Sequence, residues 1–527
     1  MKKSKEGVSD IFPHRNNLKI RLIWEAALIG LLTGLVIVAN RVLVEKLSPL
    51  IIKFYTYSKG HPLTILLVFV ILGLMGFFVG CLVKKDPMIS GSGIPQVEGI
   101  LMKRLEVNWL RVLVFKFIGG TAALIAGLSV GREGPSVQMG AAIGQGFSKV
   151  CKRINIEDKF LITSGASAGL SGAFNAPLSG VIFALEEVHK NFSPLVLLSA
   201  MSASIAADFM CKNFLGLKPA LGFSDVSALP LKYYWTLCIL GIILGFTGVL
   251  FSKGILKTQD IYGIFKKVPI QVKVMIPFLC AGVVGITAPI LLGGGHSLIM
   301  SLGNGRFTIT MLFLFLLIKY IFTFVSFGSG TPGGIFFPLL VLGAIVGNIF
   351  GIIVCKSAHI PTMYIINFVI FAMAGHFASI VKAPITGIVL ITEMSGSFEH
   401  LLALTIVVIF SYVTSDILKS EPIYESLLER SLKKYGKDDD GDHKAYPKKT
   451  ILEISVFMGS TVEGHLIKDI EWPEECLLVG IKRGGKEIIP NGDTEILAGD
   501  FLVVLVDDDK AAGSMEALQK LSTEIKE

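Results

Sequence analysis

The chain has 527 residues, 52% of them hydrophobic and only 17% charged, against about a quarter charged in a typical soluble domain. That balance excludes a disordered chain, a disulfide scaffold and an ordinary soluble enzyme, and it describes a polytopic membrane protein. The formal net charge of +8 is modest and unevenly placed, and no nucleic-acid partner is expected from it.

Residues 1–20 are basic, and lysine and arginine beside a first span favour the cytoplasmic side. The apolar stretch that follows is long and shows no small-residue cleavage site, so no cleaved signal peptide is expected. Uncharged runs of membrane length recur, at 63–83, 233–252 and 320–355. About 20 apolar residues cross the ~30 Å hydrocarbon core. Many runs are cut by small residues and proline: SGSGIP at 90–95, GREGP at 131–135, GSGTPGGIFFP at 328–338. Lipid cannot satisfy the backbone groups such breaks release, so the breaks must line a polar cavity or lie inside protein. The 56 glycines, well above the usual ~7%, fit close helix packing and broken helices. The seven cysteines are scattered without a C-x-x-C and read as small hydrophobes.

The chain repeats itself. NAPLSGVIFALEE at 175–187 matches KAPITGIVLITEM at 382–394, with the Ala-Pro pairs 207 residues apart. GREGPSVQMGAAIG at 131–144 lies over GIFFPLLVLGAIVG at 334–347, an offset of 203. Two halves of one membrane fold are expected within 21–430, at about 21–215 and 230–430. Repeated broken helices point to a transporter with its site at the repeat interface.

A charged linker is expected at 431–448. Residues 449–527 then read as short strands (ILEISV, LLVGIKR, GGKEIIPNGD, FLVVLVD) and a final amphipathic helix from 510. The fold class is therefore an all-α polytopic membrane protein of two repeats, followed by a small soluble α+β domain, expected on the cytoplasmic side.

Broken helices create anion sites, because a helix start presents unpaired N–H groups and partial positive charge. GSGIP at 91–95 adds the Ser92 hydroxyl, GREGP adds the Glu133 carboxylate, and GGIFFP at 333–338 offers bare amides. Together they bind an anion weakly enough to release it. A carboxylate in such a site competes with the anion when charged and withdraws when protonated, which is proton-coupled gating. Glu186 and Glu187 end an apolar segment. Adjacent helical residues point about 100° apart, so only one need face inward, where it would relay protons. Glu393, the repeat partner of this pair, reads as structural.

GSGIPQVEG at 91–99, GREGPSVQMG at 131–140 and GSGTPGGIFFP at 328–338 resemble, in order and spacing, the CLC family of chloride channels and proton/chloride antiporters. The resemblance covers about 20–430. It implies a homodimer in the cell membrane, an anion pathway in each subunit, and two inverted halves. Residue by residue, it implies chloride contacts from the hydroxyls of Ser92 and Tyr424 and from the backbone of Ile335 and Phe336. It makes Glu133 the external gate and Glu187 the internal proton-transfer residue. Channel-type members commonly lack that second acid, so Glu187 favours antiport, with a passive gated channel as the alternative. Serine at position 92 goes with chloride, and fluoride exporters differ around the first two motifs. Gln96 departs from the glutamate of many relatives.

Residues 449–525 resemble the TrkA-C (RCK-C) regulatory domain on GIKR at 480–483, IIPNGD at 488–493 and AGDFLVVLV at 498–506. Such domains dimerise, and some bind cyclic di-AMP between two copies. By that resemblance Arg483 and Asn491 would contact phosphate or base, and Ile488, Ile489 and Pro490 would pack on adenine. No glycine-rich dinucleotide fingerprint precedes the domain. The histidines form no H-E-x-x-H, no nucleophile elbow is read in the chain, and neither a metal site, a catalytic residue nor a cofactor is expected; chloride is substrate. The combination of domains suggests a bacterial source.

Overall fold

The computed structural model describes residues 8–434 and 449–523, apart from 218–219, 224–225, 304–306, 474–475, 485 and 508–509. The chain divides into two compact units, Met1–Lys434 and Tyr435–Glu527. Of the linker expected at 431–448, residues 431–434 belong to the helix Ile423–Lys434, and 435–448 lie outside the described residues.

The first unit is helical throughout, with short 3₁₀ turns and one π-helical turn among its described residues. Among the described residues, eight of its helices are long and apolar enough to cross a membrane. They differ in position: the most apolar windows of Phe336–Ser357 and Thr362–Val381 are 83% buried inside the protein, that of Pro62–Lys85 only 28%. Leu63, Leu66, Leu74 and Phe78 on the last are exposed, as side chains facing lipid are. The central core gathers Phe336, Phe368, Phe371, Phe377 and Tyr424 with their neighbours.

Local chemistry sets the helix limits. Pro62, Pro177, Pro194 and Pro384 each open a helix, where the missing N–H costs nothing. The Asn108 side chain accepts from the Arg111 amide, and the Thr308 hydroxyl from the Met311 amide, at two further starts.

The two halves share one sequence of elements. Ile94–Leu101, Trp109–Ile125, Glu133–Val150, Asn155–Phe174, Pro177–Phe183 and Pro194–Leu215 recur as His296–Leu302, Ile309–Gly328, Phe336–Ser357, Ile365–Val381, Pro384–Ser395 and Leu401–Ile417. Even the breaks recur. Asn155–Phe174 ends at Asn175 (φ 55°) and Ile365–Val381 at Lys382 (φ 67°), each a left-handed residue followed by Ala-Pro. The halves meet at Gly131 and Gly334, which exchange both backbone hydrogen bonds (2.7 and 2.8 Å) in an antiparallel bridge. These are equivalent positions of the repeat. An antiparallel pair of equivalent residues lies on a pseudo-two-fold axis that relates the two halves.

The second unit is a four-stranded antiparallel sheet, β1 Lys449–Ser455, β2 Leu477–Arg483, β3 Lys486–Ile488 and β4 Phe501–Asp507, in the order β1-β4-β2-β3. The pairs Ile454–Leu502 and Leu452–Val504 fix the β1–β4 register. Alternate residues of these strands and Leu518 of the helix Ala511–Thr523 form its core.

Candidate functional site: converging helix starts and buried carboxylates

The loop before Ile94–Leu101 is pinned from beneath. Lys116 is fully buried, and its Nζ donates to the carbonyls of Ile89 (2.9 Å) and Gly91 (2.7 Å). The other half repeats the device: buried Lys319 donates to Leu291 (3.0 Å) and Gly293 (2.6 Å). Gly91 and Gly93 sit at φ 65° and 98°, which glycine adopts freely, and this turns the Ser92 hydroxyl inward. The Gly333 amide donates to the Gly91 carbonyl (3.0 Å), and the Ser90 hydroxyl to that of Gly330 (3.0 Å), so this loop is tied to the one before Phe336–Ser357. The Gln96 side-chain Nε2 donates to the Ser90 carbonyl (2.9 Å) and closes the turn.

Three helix starts converge here. Ser92 lies so close to the start of Glu133–Val150 that a methyl group at Gly134 would overlap its Oγ. Gly334 packs on Gly134 and Gly131, which brings Ile335 and Phe336 to the same place. The Glu133 carboxylate folds back over Gly131 and meets the Phe337 amide. Tyr424, near the start of Ile423–Lys434, is fully buried and directs its hydroxyl toward Ser92. Ser92 Oγ, Tyr424 Oη and Glu133 Oε2 are buried without a hydrogen-bond partner. Buried polar atoms are costly to leave so. Two hydroxyls and the amides of two helix starts make a donor set suited to an anion, and the buried Glu133 carboxyl lies beside them. Phe174, Phe183 and Phe377 surround the Phe336 ring at 5.2, 6.0 and 4.7 Å and wall off the site.

The glutamate pair divides sharply. Residues Ala184–Val188 form a π-helical turn in which the His189 amide reaches back to the Ala184 carbonyl (2.8 Å). Such a turn inserts a residue and re-aims its neighbours. Glu186 points to the start of Pro384–Ser395 and accepts from the amides of Ile385 (3.2 Å) and Thr386 (2.7 Å). Glu187 is turned inward, 4% exposed, with Oε1 unpartnered. Beside it lies Glu98 of Ile94–Leu101, fully buried and with neither oxygen hydrogen-bonded. Glu393 caps the start of Pro177–Phe183.

Sequence reasoning passed over several residues of this region. Glu98 stood inside a quoted motif. Lys116 and Lys319 were legible as cations deep in apolar helices, 203 residues apart. It also passed over two stretches with the spelling G-x-S-x-G: GLSVG at 127–131, which follows the helix Trp109–Ile125 and whose Ser129 hydroxyl pairs with that of Thr323 (2.8 Å), and GASAG at 165–169. The second lies inside the helix Asn155–Phe174, and the Ser167 hydroxyl donates to the Ala200 carbonyl. A nucleophile elbow needs a strand-to-helix turn, so this is helix packing. No group of three or more histidine, cysteine, aspartate or glutamate residues suited to a metal occurs among the described residues.

In the second unit, Arg483 reaches inward. Its Nε and Nη2 donate to Asp500 (2.8 and 2.7 Å), and Nη2 also to the Glu495 carbonyl (2.7 Å). Asn491 Oδ1 accepts from the Asp493 amide (3.1 Å) and the Thr494 hydroxyl (3.0 Å), closing a turn. Ile488 and Pro490 are half-buried, and Ile489 is 91% exposed.

Comparison with known proteins agrees with this geometry. Residues 75–416 match the family described as voltage gated chloride channel, and 451–516 match the TrkA-C domain. The H(+)/Cl(-) exchange transporter ClcA of Salmonella typhi is 35% identical over 436 residues, covering 80% of this chain and 90% of that protein, and that of Salmonella typhimurium is equally similar. Among solved structures, a slow cyanobacterial Cl-/H+ antiporter superposes with a TM-score of 0.75 at 30% identity, over 79% of this chain and 99% of that one. A eukaryotic CLC transporter shares the fold (TM-score 0.66, 22% identity, 78% of this chain and 74% of that one). With 342 of its residues inside the family match and the two halves meeting at the anion-site loops, the chain belongs to the voltage-gated chloride channel (CLC) family and carries a TrkA-C domain behind its membrane unit.

Proposed function

We propose that the protein exchanges chloride for protons across the membrane. The observation that carries this reading is the placement of two buried carboxylates, Glu133 and Glu187, around a site whose free donors are the Ser92 and Tyr424 hydroxyls. The exchange activity named for the ClcA relatives and the cyanobacterial antiporter supports it.

In this reading chloride accepts hydrogen bonds from Ser92 Oγ, Tyr424 Oη and the amides of Ile335 and Phe336. No full cation touches it, so it is held by partial charges and leaves readily. Ionised Glu133 occupies the outer anion position. Protonated, it no longer competes, and chloride enters. Glu187 takes protons from the opposite side and passes them toward Glu133 by a route that leaves the chloride path beyond Tyr424. Each proton bound thus trades places with chloride, which couples the two fluxes.

The protein acts in this reading as a homodimer with both termini cytoplasmic, and the TrkA-C domain pairs and regulates transport. Cyclic di-AMP is the ligand to try first there. Ile489, exposed on the surface, is available to pack on a base. Arg483 is held by Asp500, so phosphate recognition by Arg483 requires that pair to rearrange.

The test is flux from liposomes of the purified protein, with chloride and protons recorded together. A chloride gradient should drive protons uphill. Chloride movement that ignores the pH gradient would make the protein a passive channel and overturn the exchange reading.

A further inference from the structure

Glu98 and Glu187 are buried side by side, yet a cation stands at their edge. Lys190 follows the π-helical turn and takes a left-handed conformation (φ 54°), uncommon for a residue with a side chain. Its ammonium lies 4.0 Å from Glu98 Oε2 and makes an ion pair with Glu425. Glu98 is 0% exposed, Lys190 30% and Glu425 48%, so the three form a graded path from the interior to the surface. Glu425 follows Tyr424 directly in the helix Ile423–Lys434, and Leu428 of that helix packs against Gly99 beside Glu98. One helix therefore carries both the anion-site tyrosine and the outer end of the acidic path.

Two neighbouring carboxylates in a low dielectric do not both ionise. Left alone, the Glu98–Glu187 pair would hold its protons and could not accept new ones. A cation within about 4–6 Å favours the charged form. We propose that Lys190 is a positioning residue for proton uptake: its ammonium keeps one carboxyl of the Glu98–Glu187 pair ionised and ready to accept a proton, and Glu425 offsets part of that charge. This rests on the reading of Glu187 as the internal proton residue.

The other charged groups near Lys190 are engaged elsewhere. Glu186 caps Pro384–Ser395. His189 pairs through Nδ1 with the Thr163 hydroxyl (2.9 Å), with Lys159 of the helix Asn155–Phe174 acting on it. Lys103 and Arg104 are exposed beyond the end of Ile94–Leu101. Tyr424 faces Ser92, and Arg430 of the same helix pairs with Asp260. Among the described residues, Lys190 is thus the cation that acts on the buried pair, and Glu425 is the acid that tempers it.

Proton flux in liposomes should fall as pH rises past the point where the pair no longer holds a proton. K190Q should move the half-maximal pH upward by about one unit, the lower end of the effect of an adjacent opposite charge, and K190R should restore it. E425Q removes a negative charge and should move it downward. A purely structural role would make the two neutral variants change together, so shifts in the same direction, or none, overturn the inference. E187Q separates this from the underlying reading. Proton flux surviving E187Q removes the reading itself, whereas flux abolished by E187Q but with its pH profile unmoved by K190Q removes only the role of Lys190.

Discussion

Glu186 and Glu393, equivalent residues of the two halves, each cap the helix that begins the other's segment. Glu186 accepts from the amides of Ile385 and Thr386 and from the Thr386 hydroxyl (2.7 Å). Glu393 accepts from the amides of Leu178 (3.0 Å) and Ser179 (2.7 Å) and from the Ser179 hydroxyl. Proline occupies the first position of both helices, so the next two amides are the ones that need acceptors. A carboxylate at a helix start also interacts favourably with its dipole. The exchange fastens the two halves at a second point, besides the Gly131–Gly334 bridge.

Loss of either cap should therefore cost similar stability. Hydrogen bonds to a charged group contribute about 1.5–3 kcal/mol. E186A and E393A should each destabilise by about 2–3 kcal/mol, with the glutamine variants milder, read by thermal unfolding of the full chain in detergent. A neutral E186A beside a damaging E393A would show that the two caps are not equivalent. Proton-to-chloride stoichiometry should survive E186Q, since Glu186 is committed to its amides.

Much of this was legible in the sequence, and the remainder was not for physical reasons. Length, apolar runs and the two offset repeats specify two related halves, because a repeated break must be buried twice, whereas their inversion was legible only through the family resemblance. The assignment of Glu186 and Glu187 to different tasks was not legible without a family resemblance. Their facing depends on a π-helical turn, which no hydrophobic periodicity announces. The path through Glu98, Lys190 and Glu425 joins three segments far apart in sequence, and spacing carries no trace of it. In the second unit, IIPNGD reads as one strand and turn, yet only Lys486–Ile488 is strand. The Asn491 turn ends the pairing there.

The buried lysines should separate structure from transport. K116M leaves the Ile89 carbonyl without its lysine donor and the Gly91 carbonyl with the Gly333 amide alone, and K319M removes the lysine donor of the Leu291 and Gly293 carbonyls, at about 1–3 kcal/mol per unsatisfied group. Both should lower the unfolding temperature. Of the two lysines, only Lys116 holds a carbonyl next to Ser92, that of Gly91, which it shares with the Gly333 amide. K116M should therefore also weaken chloride binding, by about tenfold (~1.4 kcal/mol), measured by titration calorimetry. Equal chloride affinity in the two variants would remove the proposed link between Lys116 and the Ser92 loop.

Gly134 should be intolerant for a steric reason. A Cβ there would run into Ser92 Oγ and lie 2.7 Å from the Ser92 carbonyl oxygen, and backbone cannot step aside as a flexible side chain can. G134A should displace the Ser92 hydroxyl and reduce chloride affinity by tenfold or more (~1.4 kcal/mol). An unchanged chloride isotherm would mean that Ser92 does not supply a chloride contact.

Glu133 should be needed for coupling but not for anion passage. E133Q keeps the shape of the side chain and removes the charge that competes with chloride. Chloride flux should persist while proton flux falls to background, measured with a chloride electrode and a pH electrode on the same liposomes. Uphill proton pumping by E133Q would remove Glu133 from the proton path.

The second unit should lose stability in acid through Asp500. Burial pushes the Asp500 carboxyl up, but the Arg483 guanidinium and the Leu497 amide (2.9 Å) outweigh burial and hold it below its usual value. A carboxyl lowered in the folded state stabilises fully above its unfolded value, about 3.9, and that stability is lost as pH falls through the folded value. D500N should remove the ion pair at neutral pH, at a cost of about 1.5–3 kcal/mol, and should flatten the acid side of the profile. Trp472, whose indole donates to the Ile467 carbonyl (3.0 Å), is the natural reporter. With Trp24, Trp109 and Trp235 replaced by phenylalanine in the full chain, urea titrations of Trp472 fluorescence across pH 3–7 would follow this unit alone. A D500N profile parallel to that of the parent would place the acid-sensitive group elsewhere in the domain.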